Sequence, residues 1–239
     1  MASPSIISQT SLTAAIGLSA AGIWVGTQPP NPLPDKIPAT GDSFRSIIVA
    51  LQKYGNLLYL PLGVAALQHA SLAMTYPRIP ISLLRYGLDN GLNIRLITWS
   101  KDTAVPLALI LCVGVPLRLL SYGALGKNFT FGLSEPDRLN TSGLYRYMQH
   151  PSYTGGFALV VGVLGLWGRL DGVLSCFTPP WLFSRLRPLE PGLLSFVFAG
   201  VMVLCWKRVK DEEQMLRTQF GSEWETWNFR TARFIPFVF

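Results

Sequence analysis

The chain has 239 residues, of which 49% are hydrophobic and 14% charged, and a formal net charge of +7. Soluble domains carry about a quarter charged residues, so an ordinary soluble surface is excluded and a membrane-embedded chain is expected. Nucleic acid binding is not indicated, because the Lys and Arg residues sit between apolar runs rather than on one basic face interleaved with aromatics; flanking a bilayer explains them better.

No break in composition divides the chain, so residues 1–239 read as one integral membrane unit, with N-terminal spans in 1–117 and the chemistry-bearing part in 118–239. Cys112, Cys176 and Cys205 lie in or beside apolar stretches, distant in sequence from His69 and His150, which argues against both zinc and a disulfide framework. No basic residue precedes Lys36, so the first apolar run lacks the charged start of a secretory signal and is expected to be retained.

From Ile6 to Val25 there is no charge, which is about the 20 residues needed to cross ~30 Å of hydrocarbon. Gly22 and Gly26 form a small-xxx-small pair, either a close helix contact or chance in a glycine-rich chain. A loop rich in proline (Pro29, Pro30, Pro32, Pro34, Pro38) follows, and a second span is expected over Ser46–Met74, kinked at Pro61. Arg78 to Lys101 mixes Leu and Trp with charge and reads as an interfacial, partly helical segment. A third span is expected over Val105–Tyr122 and a fourth over Tyr153–Trp167, short enough that a broken hairpin reaching Phe177 is an alternative. Pro179–Pro191 reads as a proline-broken loop, and Gly192–Trp206 as a fifth span running into a polar helix, Lys207–Phe220. The expectation is an all-α polytopic bundle of about five helices. With five crossings, twelve Lys and Arg residues fall on the side of the 118–152 loop and the C-terminal tail against seven on the other, which places that side in the cytosol.

Two polar clusters lie on that side. One runs from Thr141 to Tyr153 and contains His150-Pro151-Ser152-Tyr153 at the head of the fourth span. Pro151 suits a first helical turn, where free backbone donors favour polar or anionic ligand groups; an interfacial aromatic belt is the plainer alternative. In the other, Arg208 and Glu212 share a helix face, as do Val209, Glu213, Leu216 and Phe220. That face offers one group for a carboxylate and one for a cation, or simply a helix-stabilising ion pair.

The order of these pieces carries more than each alone. Thr-Ser-Gly-x-Tyr, then His-Pro-Ser-Tyr-x-Gly at a span's head, then the Glu212-Glu213 helix ending in Phe220-Gly221-Ser222-Glu223, then Trp224, Trp227, Arg230 and Ile235-Pro236-Phe237, resembles the isoprenylcysteine carboxyl methyltransferase family over about 118–239. The resemblance implies an S-adenosylmethionine-dependent carboxyl methyltransferase of the endoplasmic reticulum. Its substrate would be lipid-linked, entering from the bilayer, such as a prenylated protein C-terminus. Carried over by position, Leu139, Tyr145, His150, Pro151, Ser152, Tyr153 and Glu212 would contact the cofactor and Arg208 would hold the substrate carboxylate. Glu213 and Arg230 also match the pattern. This sequence departs from it where the family's Arg reads Gln149, losing a charge and a bidentate fork for which Arg146 is a candidate substitute. It departs again at Trp224 and Trp227, which stand for tyrosines, and in an expanded Arg169–Pro191 segment. Two other readings stay open: an NADPH-dependent sterol-type membrane reductase, which shares a His-Pro-x-Tyr run, and a catalytically inactive membrane scaffold.

Overall fold

The computed structural model describes residues 5–237; the first four and last two residues of the unit expected over 1–239 lie outside the described residues. Among the described residues the regular elements are helices, with one isolated bridge between Met148 and Ala232. In hydrocarbon every backbone N–H must be satisfied within its own segment, which helices do.

Helix α1 (Ile6–Thr27) starts at Ser5, whose side chain accepts from the Ser8 N–H. Helix α2 (Arg45–Thr75) contains Pro61 and lies antiparallel to α1. Thr27 and Tyr59 share a 2.7 Å hydroxyl contact at one end, and the Thr13 hydroxyl reaches the Ala70 carbonyl at the other. The interfacial segment holds the one-turn α3 (Ile81–Leu84) and a short 3-10 helix (Ile94–Leu96), joined by turns. Helix α4 (Lys101–Ala108), capped by a reciprocal Ser100–Thr103 box, passes through a π-turn (Leu109–Gly114) into α5 (Val115–Leu125). Together these three make the expected third span. Of the Gly22–Gly26 pair, Gly22 serves close packing, since a Cβ there would lie 2.9 Å from Val115 of α5, whereas one on Gly26 would meet Arg118 at an ordinary 3.8 Å.

Helix α6 (Pro151–Trp167) packs against α4 and α5, and its glycines let the backbones meet. A Cβ on Gly155 would stand 2.9 Å from the Gly114 carbonyl, and one on Gly162 2.5 Å from the Ile110 side chain. Leu12, Ile16, Leu72, Ile110, Leu159 and Leu166 form the buried core between these helices. At 17 residues α6 is about 25 Å long, shorter than the hydrocarbon. The chain then turns into α7 (Leu174–Phe177), whose Cys176 joins the same core.

The Pro179–Pro191 segment differs from the expected loop. It forms α8 (Pro180–Leu186) and one tighter turn, and α9 begins at Glu190 rather than Gly192. Pro180 and Pro191 sit in first turns, where a missing N–H costs nothing. Helix α9 (Glu190–Phe220) runs through the apolar stretch into the polar one, and α10 (Ser222–Arg230) turns off at Gly221, whose φ is +53°. Among the described residues four helical runs, Ile6–Thr27, Arg45–Thr75, Ile94–Asn128 and Pro180–Phe220, are long and apolar enough to cross a membrane, and α6 is a shorter apolar helix. The outward large side chains, such as Leu18, Leu67, Phe196 and Val203, suit a lipid rather than an aqueous surroundings.

Candidate active site

The start of α6, the polar part of α9, the start of α2 with Phe44 ahead of it, and the 126–150 loop line a cavity of about 410 Å³. Leu139, Tyr145, His150, Ser152, Tyr153, Arg208 and Glu212 all line it, residues separated by up to 73 positions in sequence. Pro151 does not: it is fully buried as the first residue of α6, where it sets the helix start.

The Tyr153 hydroxyl donates to Glu212 Oε2 at 2.8 Å, joining α6 to α9 across the cavity. His150 is buried edge-on against Tyr153, with ring centroids 5.5 Å apart. Its Nδ1 lies 3.9 Å from Glu212 and its Nε2 3.5 Å from Glu213, and neither nitrogen has a hydrogen-bond partner. Nε2 faces the Glu213 carboxylate at the limit of hydrogen-bonding reach, which leaves Nδ1 as the buried nitrogen that a ligand would satisfy. Burial, and then the charge of Glu212, push the Tyr145 phenol well above its ordinary pKa, so it stays a neutral donor. Leu133, Tyr145, Met215, Leu216, Trp224 and Trp227 pack into an apolar cluster beside the cavity, with Leu139 against it.

The face shared by Val209, Glu213, Leu216 and Phe220 turns inward, as its spacing predicts. Glu213 takes Arg233 at 2.6 Å and Lys210 at 3.1 Å. Burial alone would raise its pKa, but His150, Arg233 and Lys210 outweigh this and lower it to about 2. Arg230 instead stays exposed on the last turn of α10.

Arg208 is not paired with Glu212. Its Nη1 binds Asp42 Oδ1 at 2.6 Å and its Nη2 the Phe131 carbonyl at 2.5 Å. Asp42 comes from the proline-rich loop, 166 positions away, and no local pattern marks it. Arg118, counted in the sequence only as a flanking charge, also lines the cavity. It donates to Ser152 Oγ (2.7 Å), the Gly26 carbonyl (2.8 Å) and the Tyr122 hydroxyl (2.6 Å).

Gln149 has a role of its own. Its Nε2 donates to the Asn228 carbonyl and to the Thr231 carbonyl and hydroxyl at 3.0–3.1 Å. The N–H groups of Gln149 and His150 bond the Ala232 and Arg233 carbonyls. These two backbone donors, just ahead of α6, are therefore spent on the C-terminal tail. Arg146 does not replace the family arginine; it is exposed, with its guanidinium over the Tyr147 ring. At the other departures, Trp227 restores a polar contact by donating to the Tyr145 carbonyl at 2.7 Å, whereas the buried Trp224 Nε1 has no partner.

The site offers an acid beside a buried imidazole, an apolar cluster and an arginine. Those groups fit a ligand with a cationic centre, polar ends and an aromatic ring, and the volume is that of a small-molecule pocket.

The sequence is also similar to known proteins. A family model described as phospholipid methyltransferase matches residues 103–198. Over 134 residues, 53% of this chain, the sequence is 30% identical to protein-S-isoprenylcysteine O-methyltransferase of Mus musculus and 31% identical to its Homo sapiens counterpart. The match covers 46% of each, so the chain spans about half the length of the curated relatives it matches. A solved structure of the eukaryotic intramembrane Ras methyltransferase (isoprenylcysteine carboxyl methyltransferase) aligns with 93% of this chain and 74% of that one, at 18% identity and a TM-score of 0.44.

Proposed function

From its kinship with the isoprenylcysteine carboxyl methyltransferases, we propose that this chain transfers a methyl group from S-adenosylmethionine to the carboxylate of a lipophilic acceptor, a C-terminal prenylated cysteine being the first candidate. The observation that carries the reading is the gathering of His150, Tyr153, Glu212, Tyr145, Leu139 and Arg208 around one cavity. Bound there, the cofactor supplies an electrophilic methyl on a sulfonium. Glu212 would pair with the cofactor's cationic groups, the amino-acid ammonium as well as the sulfonium, His150 would offer its Nδ1 to a polar group, and the Tyr145–Leu139–Trp227 side would accommodate the adenine ring. Pro151 acts indirectly, by fixing where α6 begins.

Arg208 orients the acceptor. A terminal carboxylate has an unperturbed pKa of roughly 3.5 and is ionised at neutral pH, so it needs no general base. The reactants are an anion and a cation and the products are neutral. A cavity of low polarity that holds them in line at about 3 Å therefore favours the transition state. The cavity wall continues along Ile47, Ile48 and Leu51 of α2 and Leu204 and Cys205 of α9. Ile47, Leu51 and Leu204 are also exposed on the lipid-facing exterior, a suitable route for a prenyl tail arriving from the bilayer. The cytosolic placement of this side follows from its excess of Lys and Arg, and the endoplasmic reticulum from the kinship alone.

The test is transfer of labelled methyl from S-adenosylmethionine to N-acetyl-S-farnesylcysteine by the purified chain in lipid nanodiscs. Base-labile methyl ester should appear, and Arg208→Ala should abolish it while leaving S-adenosylhomocysteine affinity within about twofold. No ester with this acceptor or with other lipophilic acids, despite cofactor binding, would overturn the carboxyl methyltransferase reading.

A further inference from the structure

The proline-rich loop ahead of α2 carries none of the motifs that resemble the methyltransferase family, yet it is bolted to the cavity wall. Asn31 Nδ2 donates to the Gly126 and Phe129 carbonyls at 2.7 and 2.8 Å. Gly132 lies so close that a Cβ there would stand 2.5 Å from Leu33 and 3.6 Å from Asp42. At the centre of this contact is Asp42, whose side chain is fully buried. Its Oδ1 accepts from Arg208 at 2.6 Å and from the Phe44 N–H at 3.0 Å, and its Oδ2 accepts from the Leu133 N–H at 2.8 Å.

We propose that Asp42 is the positioning residue of Arg208. Its carboxylate, held by two backbone donors, fixes the guanidinium in the cavity wall with its charge compensated, ready for a second carboxylate. The inference rests on the reading of Arg208 as the acceptor's partner and adds the residue that aims it. A guanidinium whose side chain is 9% exposed is costly to bury without a counter-charge. Asp42 and the Phe131 carbonyl engage two of its N–H groups, and a guanidinium has five, which leaves donors for an incoming carboxylate. Arg118 and Arg138 also line the cavity, so an anionic acceptor still meets a positive wall although Asp42 is present. The two backbone bonds distinguish Asp42 from a mobile counter-ion, because they bind it to both loops at once.

The experiment uses the full chain, N-acetyl-S-farnesylcysteine as acceptor and S-adenosylhomocysteine as binding probe, with Asp42→Ala, Asp42→Asn and Arg208→Ala. Truncating one partner of a buried charge pair is severe. Asp42→Ala should lower acceptor kcat/KM by roughly 10- to 100-fold while cofactor KM and S-adenosylhomocysteine affinity stay within about twofold. Asp42→Asn, which keeps the shape and removes the charge, should show the same split should the alanine variant fail to fold. Wild-type acceptor kinetics in either folded variant would overturn the proposal. So would loss of S-adenosylhomocysteine binding in both, which would make Asp42 part of the scaffold. If Arg208→Ala itself turns over normally, the acceptor-binding role of Arg208 fails and the proposal with it. An inactive Arg208→Ala beside a fully active Asp42→Ala refutes Asp42 alone.

Discussion

Replacing Gln149 by Ala tests how the C-terminal tail is held over the site. The Gln149 amide has two hydrogens shared among three acceptors, the Asn228 carbonyl and the Thr231 carbonyl and hydroxyl. Deleting it strips two buried hydrogen bonds at about 1–1.5 kcal/mol each. The same deletion relieves a cost, because Gln149 Oε1 is buried without a partner, and removing it returns about 1 kcal/mol. The net loss is about 1–2 kcal/mol, which for a chain of this length is a drop of roughly 2–8 °C in the melting temperature. The tail is also tied by Thr154 to the Phe234 carbonyl and by Arg233 to Glu213, so it should loosen without detaching. Differential scanning fluorimetry in detergent measures the shift, and limited proteolysis should cut between Asn228 and Phe237 faster in the variant. An unchanged melting temperature and an equally resistant tail would refute the assignment of Gln149 as the tail's anchor.

Further outcomes follow from the same geometry. The Glu213 pKa is lowered to about 2 in the fold, against roughly 4.3 unperturbed. Its contribution is therefore fully present above about pH 5 and is lost as pH falls through its folded value. Proteolytic release of the tail should rise as pH drops from 5 towards 2, and Glu213→Gln should flatten that dependence. Gly162→Val should lower the yield of monodisperse protein on size exclusion, because its Cβ would sit 2.5 Å from Ile110 and 3.0 Å from the Pro106 carbonyl; overpacking of this kind costs about 1–3 kcal/mol. Tyr153→Phe removes the 2.8 Å bond to Glu212 and should weaken S-adenosylhomocysteine binding by roughly 5- to 20-fold, read by calorimetry, with the melting temperature lowered by no more than a few degrees.

The helices were legible because a bilayer leaves a chain few choices. Uncharged, largely apolar runs at Ile6–Thr27 and in α9 can only be satisfied as helices. The prolines at 180 and 191 misled the reading, since a proline breaks a helix in its interior yet starts one in its first turn. Seven of the eight candidate site residues line one cavity because they lie in the half of the chain that carries the motif. Asp42 and Arg118 were illegible for the converse reason: their partners, Arg208 and Ser152, are 166 and 34 positions away, and only tertiary folding creates those contacts. Gln149 read as a lost charge because the sequence showed what was missing and not the tail carbonyls that the amide binds.

Calorimetric titration of the detergent-purified chain with S-adenosylhomocysteine and with NADPH tests the central claim most directly, with His150→Ala and Glu212→Ala as controls. Binding of S-adenosylhomocysteine alone, lost or strongly weakened in both variants, is the predicted result; binding of NADPH alone, or of neither, would contradict the methyltransferase assignment.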